Sequence, residues 1–207
     1  MLRLENYSVK ICKKPIVSDF SYEFSSNKIY ALLGRNGSGK TTFLKSLLGF
    51  PGIETSGKLF FKNHDISNTT FIERSKMGFV LIFQEYPKFD IEVNKLFNID
   101  NEYVKILNVE HLLNKKLFKE MSSGEKKRVD LAIALSLRPK VLLIDEIDSG
   151  VDSESRSLII KAIKKFIQTS DEHLIIMVSH NKNFLSNFEI ENYLKIENGR
   201  IYEQHNY

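Results

Sequence analysis

Gly34-Arg35-Asn36-Gly37-Ser38-Gly39-Lys40-Thr41 decides the fold class of this 207-residue chain. The stretch fills every fixed position of the phosphate-cradle pattern G-x-x-x-x-G-K-[ST]. An apolar-rich run at 28–33 precedes it and reads as a strand, and 40–50 follows it and reads as a helix. A triphosphate needs many hydrogen-bond donors in a small space. Backbone N–H groups supply them only where the chain curls tightly, and glycine permits that curl. The helix then turns its N-terminus, with its partial positive charge, toward the phosphates. Lys40 is expected to reach the β- and γ-phosphates, and the Thr41 hydroxyl to ligate Mg²⁺.

Outward from the cradle, other runs arrive at the same place. Val141-Leu142-Leu143-Ile144 is wholly apolar and suits a central parallel strand covered on both faces. It ends in Asp145-Glu146, where Asp145 is expected to hold Mg²⁺ and Glu146 to polarise the attacking water as general base. The run 174–178 reads as a further buried strand and leads through Ser179 to His180. A polar residue at that edge of a parallel sheet stands where ligands bind, within reach of a γ-phosphate. Gln84 ends a buried strand at 77–83 in the same way, and its amide could touch both metal and water. Helices are expected at 122–137 and 153–167, an outer strand at 57–66, and a hairpin of 192–196 and 200–203 around Asn198-Gly199. Residues 85–120 read as a small helical lobe. The expected organisation is a single domain over 1–207, with 1–84 and 121–207 as the α/β core and 85–120 inserted.

Composition limits the alternatives. Hydrophobic residues make up 42% and charged residues 27%, and the net charge is +4, so an ordinary folded domain is expected. The basic residues form short, scattered clusters such as Lys13-Lys14, and no nucleic-acid partner is inferred. Cys12 is the sole cysteine, which excludes an internal disulfide and a cysteine-cluster metal site and agrees with a reducing compartment. No signal-peptide region opens the sequence, and no apolar run approaches ~20 residues. Work at a membrane would therefore need a partner as anchor. His64, His111, His173 and His205 read as surface residues.

Taken together, these residues resemble the ATP-binding-cassette ATPases over about 2–202. The family's P-loop matches Gly34 through Lys40, Thr41 and Thr42. Its Q-loop matches Gln84, its Walker B aspartate Asp145, its catalytic glutamate Glu146 and its switch histidine His180. Its D-loop matches Ser149-Gly150-Val151-Asp152. The signature L-S-G-G-Q appears as Met121-Ser122-Ser123-Gly124-Glu125. The resemblance implies a P-loop NTPase core of mainly parallel sheet, an antiparallel β subdomain and a small inserted helical lobe. It implies ATP and Mg²⁺ as cofactors, with Thr41, Gln84 and Asp145 at the metal. It also implies a second subunit of the same kind, because in the family Ser122 and Gly124 would close over the neighbour's nucleotide.

Within the family the chain is similar to the iron–sulfur-cluster assembly ATPase of the Suf system. The run Ser122-Ser123-Gly124-Glu125-Lys126-Lys127-Arg128 and the run Asp145-Glu146-Ile147-Asp148-Ser149-Gly150-Val151-Asp152 carry that likeness, together with Phe83-Gln84-Glu85-Tyr86-Pro87. The partner is then a soluble Suf-type scaffold; the alternative is a membrane permease. The implied location is the cytoplasm, or the inner face of a membrane through that partner. Ser123 stands where the signature has glycine, which would crowd the approach to a phosphate and favours weak turnover. The segment between Gln84 and Ser122 is shorter than in typical Suf ATPases. Ile11 or Cys12 falls where the family usually stacks an aromatic ring on adenine, and Tyr7 is a weaker candidate for that role.

Overall fold

The computed structural model describes residues 1–83, 90–96 and 102–204. Its strands are β1 (Leu2–Ile11), β2 (Lys14–Phe24), β3 (Lys28–Leu33), β4 (Glu54–Phe61), β5 (His64–Asp65), β6 (Phe79–Ile82), β7 (Val141–Asp145), β8 (Leu174–Val178), β9 (Ile190–Glu197) and β10 (Arg200–Gln204). Its helices are α1 (Lys40–Leu47), α2 (Phe71–Lys76), α3 (Glu102–Ile106), α4 (Ser123–Ser136), α5 (Ser153–Ile167) and α6 (Lys182–Leu185). Two sheets form. One is antiparallel in the order β2-β1-β4-β5; the other runs β10-β9-β3-β8-β7-β6 and is parallel except for β10.

In β7 and β8 every residue is buried, as continuous apolar runs require when helices cover both faces of a parallel sheet. One face packs on α4 and α5 through Leu142, Ile144, Ile175 and Met177. The other packs on α1 and the antiparallel sheet through Leu143, Ile176 and Val178. The register pairs Leu32 with Val178 and Val178 with Asp145. The C-terminal ends of β3, β8 and β7 therefore lie side by side, and the chain leaves all three strands at one edge.

Residues 57–66 divide into β4 and β5 around Lys62 and Asn63, both in the left-handed region. β1 buries Leu2 and Leu4, then Tyr7 and Val9. Asn6 takes a positive φ and the register shifts between Leu4 and Tyr7. This bulge switches which alternate residues face inward. Gly57 lies against it, where a Cβ would stand 2.3 Å from the Asn6 carbonyl oxygen. Within 85–120 the described residues form α3 and two single 3₁₀ turns, Val93–Lys95 and Glu110–Leu112. Gln84, the rest of 84–89, residues 97–101 and His205 lie outside the described residues.

Two readings of single residues are corrected. His173 is not a surface residue: it is 6% exposed. It lies against the Phe166 ring, with Nδ1 2.8 Å from the Pro139 carbonyl oxygen and Nε2 3.1 Å from Thr169 Oγ1. Burial draws its pKa below the usual histidine range. Tyr7 is no candidate for stacking on a base, because its ring is buried and its hydroxyl donates to the Ser46 carbonyl.

Asp130 on α4 gives a pH prediction. The residue as a whole keeps some exposed surface, but its Oδ2 is buried and lacks a hydrogen-bond partner among the described residues. Desolvation raises its pKa to about 7. The folded state thus holds this proton more tightly than the unfolded state, where aspartate titrates near ~4. Stability from the protonated form is complete below the unfolded pKa and is lost as pH rises through about 7. Denaturant melts of Asp130→Asn are expected to be less pH-dependent than wild type between pH ~5 and ~8, and more stable at the upper end. Parallel curves for the two proteins would show that the carboxyl is already ionised.

Candidate functional site

The loop 34–39 leaves β3 and enters α1. Gly39, at the N-cap, has φ 104°, and a Cβ there would stand 2.2 Å from Ile16 Cγ2. Lys40 is 6% exposed and donates to the Gly34 and Arg35 carbonyls at 2.9 and 3.1 Å. The loop is therefore wrapped around its own lysine. Burial lowers the Lys40 pKa, opposed by the carboxylates of Glu146 and Asp145. A desolvated ammonium of this kind attracts a phosphate strongly. Gly39→Ala is expected to cost about 1–3 kcal/mol from backbone strain, with weaker ATP binding. Thermal denaturation and nucleotide titration of the variant check this.

Thr41 Oγ1 donates to Asp145 Oδ2 at 2.7 Å. Asp145 Oδ1 is buried and without a hydrogen-bond partner among the described residues. Burial raises the Asp145 pKa, partly offset by the Thr41 bond. A hydroxyl beside a carboxylate with one oxygen to spare fits a small hard cation, which takes few protein oxygens and keeps water and phosphate in its remaining positions.

Glu146 follows with φ 50°, an uncommon conformation for a non-glycine residue. Its N–H donates to the Val178 carbonyl at 3.1 Å. Its own carbonyl accepts from Lys127 Nζ at 2.7 Å, and the same amine donates to the Ser149 carbonyl. This backbone turn brings Glu146 Oε1 to 3.4 Å from His180 Nε2. Ser179 Oγ donates to Asp148 Oδ2 at 2.9 Å, which ties the loop after β7 to the loop after β8. Burial raises the Asp148 pKa, with the Ser179 bond opposing.

Ile16, Asn36, Gly37, Gly39, Lys40, Thr41, Thr42 and Glu146 line one cleft of about 380 Å³. Six of these were expected at the site from the loop and resemblance, and Glu146 from the strand end. Ile16 was not: an isolated apolar residue at the start of an outer strand carries no motif. Ser38 Oγ is buried beneath the loop, and Arg35 is exposed.

Ser122 and Ser123 are exposed, and Ser122 is the N-cap of α4. Its hydroxyl accepts from the Glu125 N–H at 3.2 Å, and the Glu125 carboxylate accepts from the Ser122 N–H at 2.7 Å. This capping box presents the start of the helix to solvent. Gly124 is buried. A Cβ there would stand 2.4 Å from Ser155 Oγ and 3.0 Å from Asp152 Oδ2, so this glycine lets α4 approach α5 within one chain.

A phosphate loop between strand and helix, an acidic pair ending the next strand but one, and a histidine at the end of the strand between them define a P-loop nucleotide-hydrolysing domain. The model of the ABC transporter family matches residues 17–149, and the chain belongs to that family. It is an ATP-binding ATPase of that family. Among curated relatives, the "Probable ATP-dependent transporter ycf16" of Trieres chinensis is 30% identical, covering 97% of this chain and 89% of the relative. The "Sulfate/thiosulfate import ATP-binding protein CysA 1" of Agrobacterium fabrum is 32% identical over 81% of this chain and 53% of its own length. The solved ATP-binding cassette MJ0796, a dimeric post-hydrolysis state with ADP and Pi, superposes with a TM-score of 0.84 at 19% identity, covering 99% of this chain and 98% of that one. At that identity the likeness speaks for the fold.

Proposed function

We propose that this chain binds MgATP between two copies arranged head to tail and hydrolyses it to drive a partner protein. Lys40 and the amides of 34–42 hold the β- and γ-phosphates. Thr41 and Asp145 hold the Mg²⁺, which screens phosphate charge when bound, and Gln84 joins them. Glu146 accepts the proton of the attacking water, and His180 orients Glu146 and meets the γ-phosphate. Ser122 and the first amides of α4 from the second copy complete the cradle, as a helix N-terminus does for any anion. The domain is single, with 85–120 as the lobe that moves against the partner. The carrying observation is the Glu146–His180 pair, 3.4 Å apart, with Glu146 on the cleft that also holds Lys40 and Thr41.

For the biological role, the favoured reading is a Suf-like ATPase in iron–sulfur-cluster assembly. Two residues on which that likeness rests, Lys127 and Asp148, are both buried. Lys127 donates to the Glu146 and Ser149 carbonyls and Asp148 accepts from Ser179, beside the candidate base, which supports reading them as more than surface variation. The second reading is the ATP-binding subunit of a membrane transporter, favoured by relatives with import and transporter names. No helix among the described residues is long and apolar enough to cross a membrane; in that reading a membrane permease is the partner. Purification of the tagged chain from its source decides between them. A stoichiometric partner retained without detergent supports the first, and a partner retained only in detergent supports the second.

A further inference from the structure

Arg74, on α2, is among the largest fully buried side chains and is only 2% exposed. Every N–H of its guanidinium fork is directed at oxygen. Nε donates to Thr69 Oγ1 at 3.0 Å. Nη1 donates to the Ser46 and Leu47 carbonyls at 2.9 and 3.0 Å, and Nη2 to the Ile66 and Ser67 carbonyls at 3.0 and 3.1 Å. Among the described residues no carboxylate pairs with it. Burial draws its pKa down, with the Tyr7 hydroxyl opposing, yet a guanidinium does not deprotonate in a protein. An interior charge without a counter-ion is costly unless dipoles replace it. Two of the four carbonyls that do so belong to the last turn of α1. That is the negative end of the helix whose other end meets the phosphates. Gly49 makes room: a Cβ there would stand 3.2 Å from Arg74 Nε.

We propose that Arg74 is a positioning residue for nucleotide binding, whose charge closes the carbonyl end of α1 and strengthens the pull of its amide end on phosphate. The inference rests on the phosphates lying at the N-terminus of α1. Eight residues rise about 12 Å, so the guanidinium stands roughly 16 Å from a phosphate there, allowing for both approaches. With an effective dielectric of about 40, each added ligand charge at that distance is worth about a factor of two in affinity. The effect therefore grows along the series AMP, ADP, ATP. A purely mechanical loosening of the loop that holds the β- and γ-phosphates would also weaken ATP most, so the charge-retaining Arg74→Lys is the arm that separates charge from mechanics.

Calorimetric titration of Mg-free AMP, ADP and ATP tests this in wild type, Arg74→Met and Arg74→Lys, each with its melting temperature. Arg74→Met is expected to weaken ATP most and AMP least, with the gap widening about twofold per phosphate. Arg74→Lys, which keeps the charge and loses the fork, is expected to melt lower yet preserve the wild-type affinity ratios. Equal losses for the three nucleotides in Arg74→Met, or ratios in Arg74→Lys that shift as far as in Arg74→Met, overturn the proposal. Should Arg74→Met not fold, Arg74→Lys decides alone. A buried amine loses its charge as pH rises, so its ATP-to-AMP affinity ratio is expected to fall relative to wild type toward pH ~10. A ratio that parallels wild type across that range overturns it. A wild-type protein that binds none of the three would instead remove the cradle at α1, and this proposal with it.

Discussion

Glu146→Gln is expected to lower ATP turnover by about 10²- to 10⁴-fold, the range for loss of a general base, while ATP affinity stays close to wild type. In the proposed mechanism the carboxylate has one task, to take the proton of the attacking water. It lines the cleft with Lys40 and Thr41, its backbone sits at φ 50°, and Oε1 lies 3.4 Å from His180 Nε2. Glutamine keeps the size and one carbonyl oxygen but cannot take a proton. Only the interaction made during bond breaking is lost, so kcat should fall with little change in the ground-state complex. Single-turnover hydrolysis beside nucleotide titration checks both halves. A variant that turns over like wild type would move the base elsewhere. Ser123 bears on the same assay: if its hydroxymethyl crowds the neighbour's phosphate, wild-type turnover is itself slow and the ratio shrinks toward the lower bound.

The second large effect belongs to Lys127→Met. The Lys127 amine is buried, and desolvation lowers its pKa against the pull of Asp148, Glu146 and Asp145. It donates to the carbonyls of Glu146 and Ser149. Methionine fills the space, leaves the Ser149 carbonyl without its donor at about 1–3 kcal/mol, and leaves the Glu146 carbonyl with the Ser149 N–H at 3.2 Å in place of two donors. It also releases the peptide that holds Glu146 in its left-handed conformation, which itself costs about 1–3 kcal/mol to maintain. A displacement of about 1 Å at a reacting group can cost roughly 10²-fold, so kcat is expected to fall by about 10- to 100-fold with KM little changed. A lower melting temperature with unaltered kcat would make Lys127 a packing residue only.

How much of this could be read without coordinates follows from where each signal comes from. β3, β7 and β8 are buried on both faces, so each is a continuous apolar run, and their ends announce Gly34, Asp145 and His180. The loop 34–41 is legible because phosphate geometry fixes glycine and lysine at set intervals. β1 and β2 were hidden because the bulge at Asn6 breaks the two-residue alternation by which a half-buried strand is recognised. Ile16 reaches the cleft only because β2 packs under Gly39, a tertiary fact. His173 reads as polar at a strand start, but Pro139, 34 residues away, and the nearby Thr169 satisfy its two ring nitrogens in the interior. Gly124 was assigned by resemblance to a neighbour's nucleotide. A Cβ there would collide with Ser155 and crowd Asp152 of the same chain, a packing demand that sequence spacing does not express. Arg74 gave no signal, since a guanidinium paired with carbonyls leaves no charge pattern in the sequence.

The most direct test concerns whether one chain's cradle is finished by another's exposed α4 terminus. Light scattering of Glu146→Gln at saturating MgATP measures it, because that variant is expected to retain the triphosphate proposed to join the copies. A mass near twice the 24.0 kDa of the chain, collapsing to the single value when Ser122 is replaced by a bulky residue or ATP by ADP, is the predicted result. A protein that stays at the single mass with ATP fully bound would contradict it.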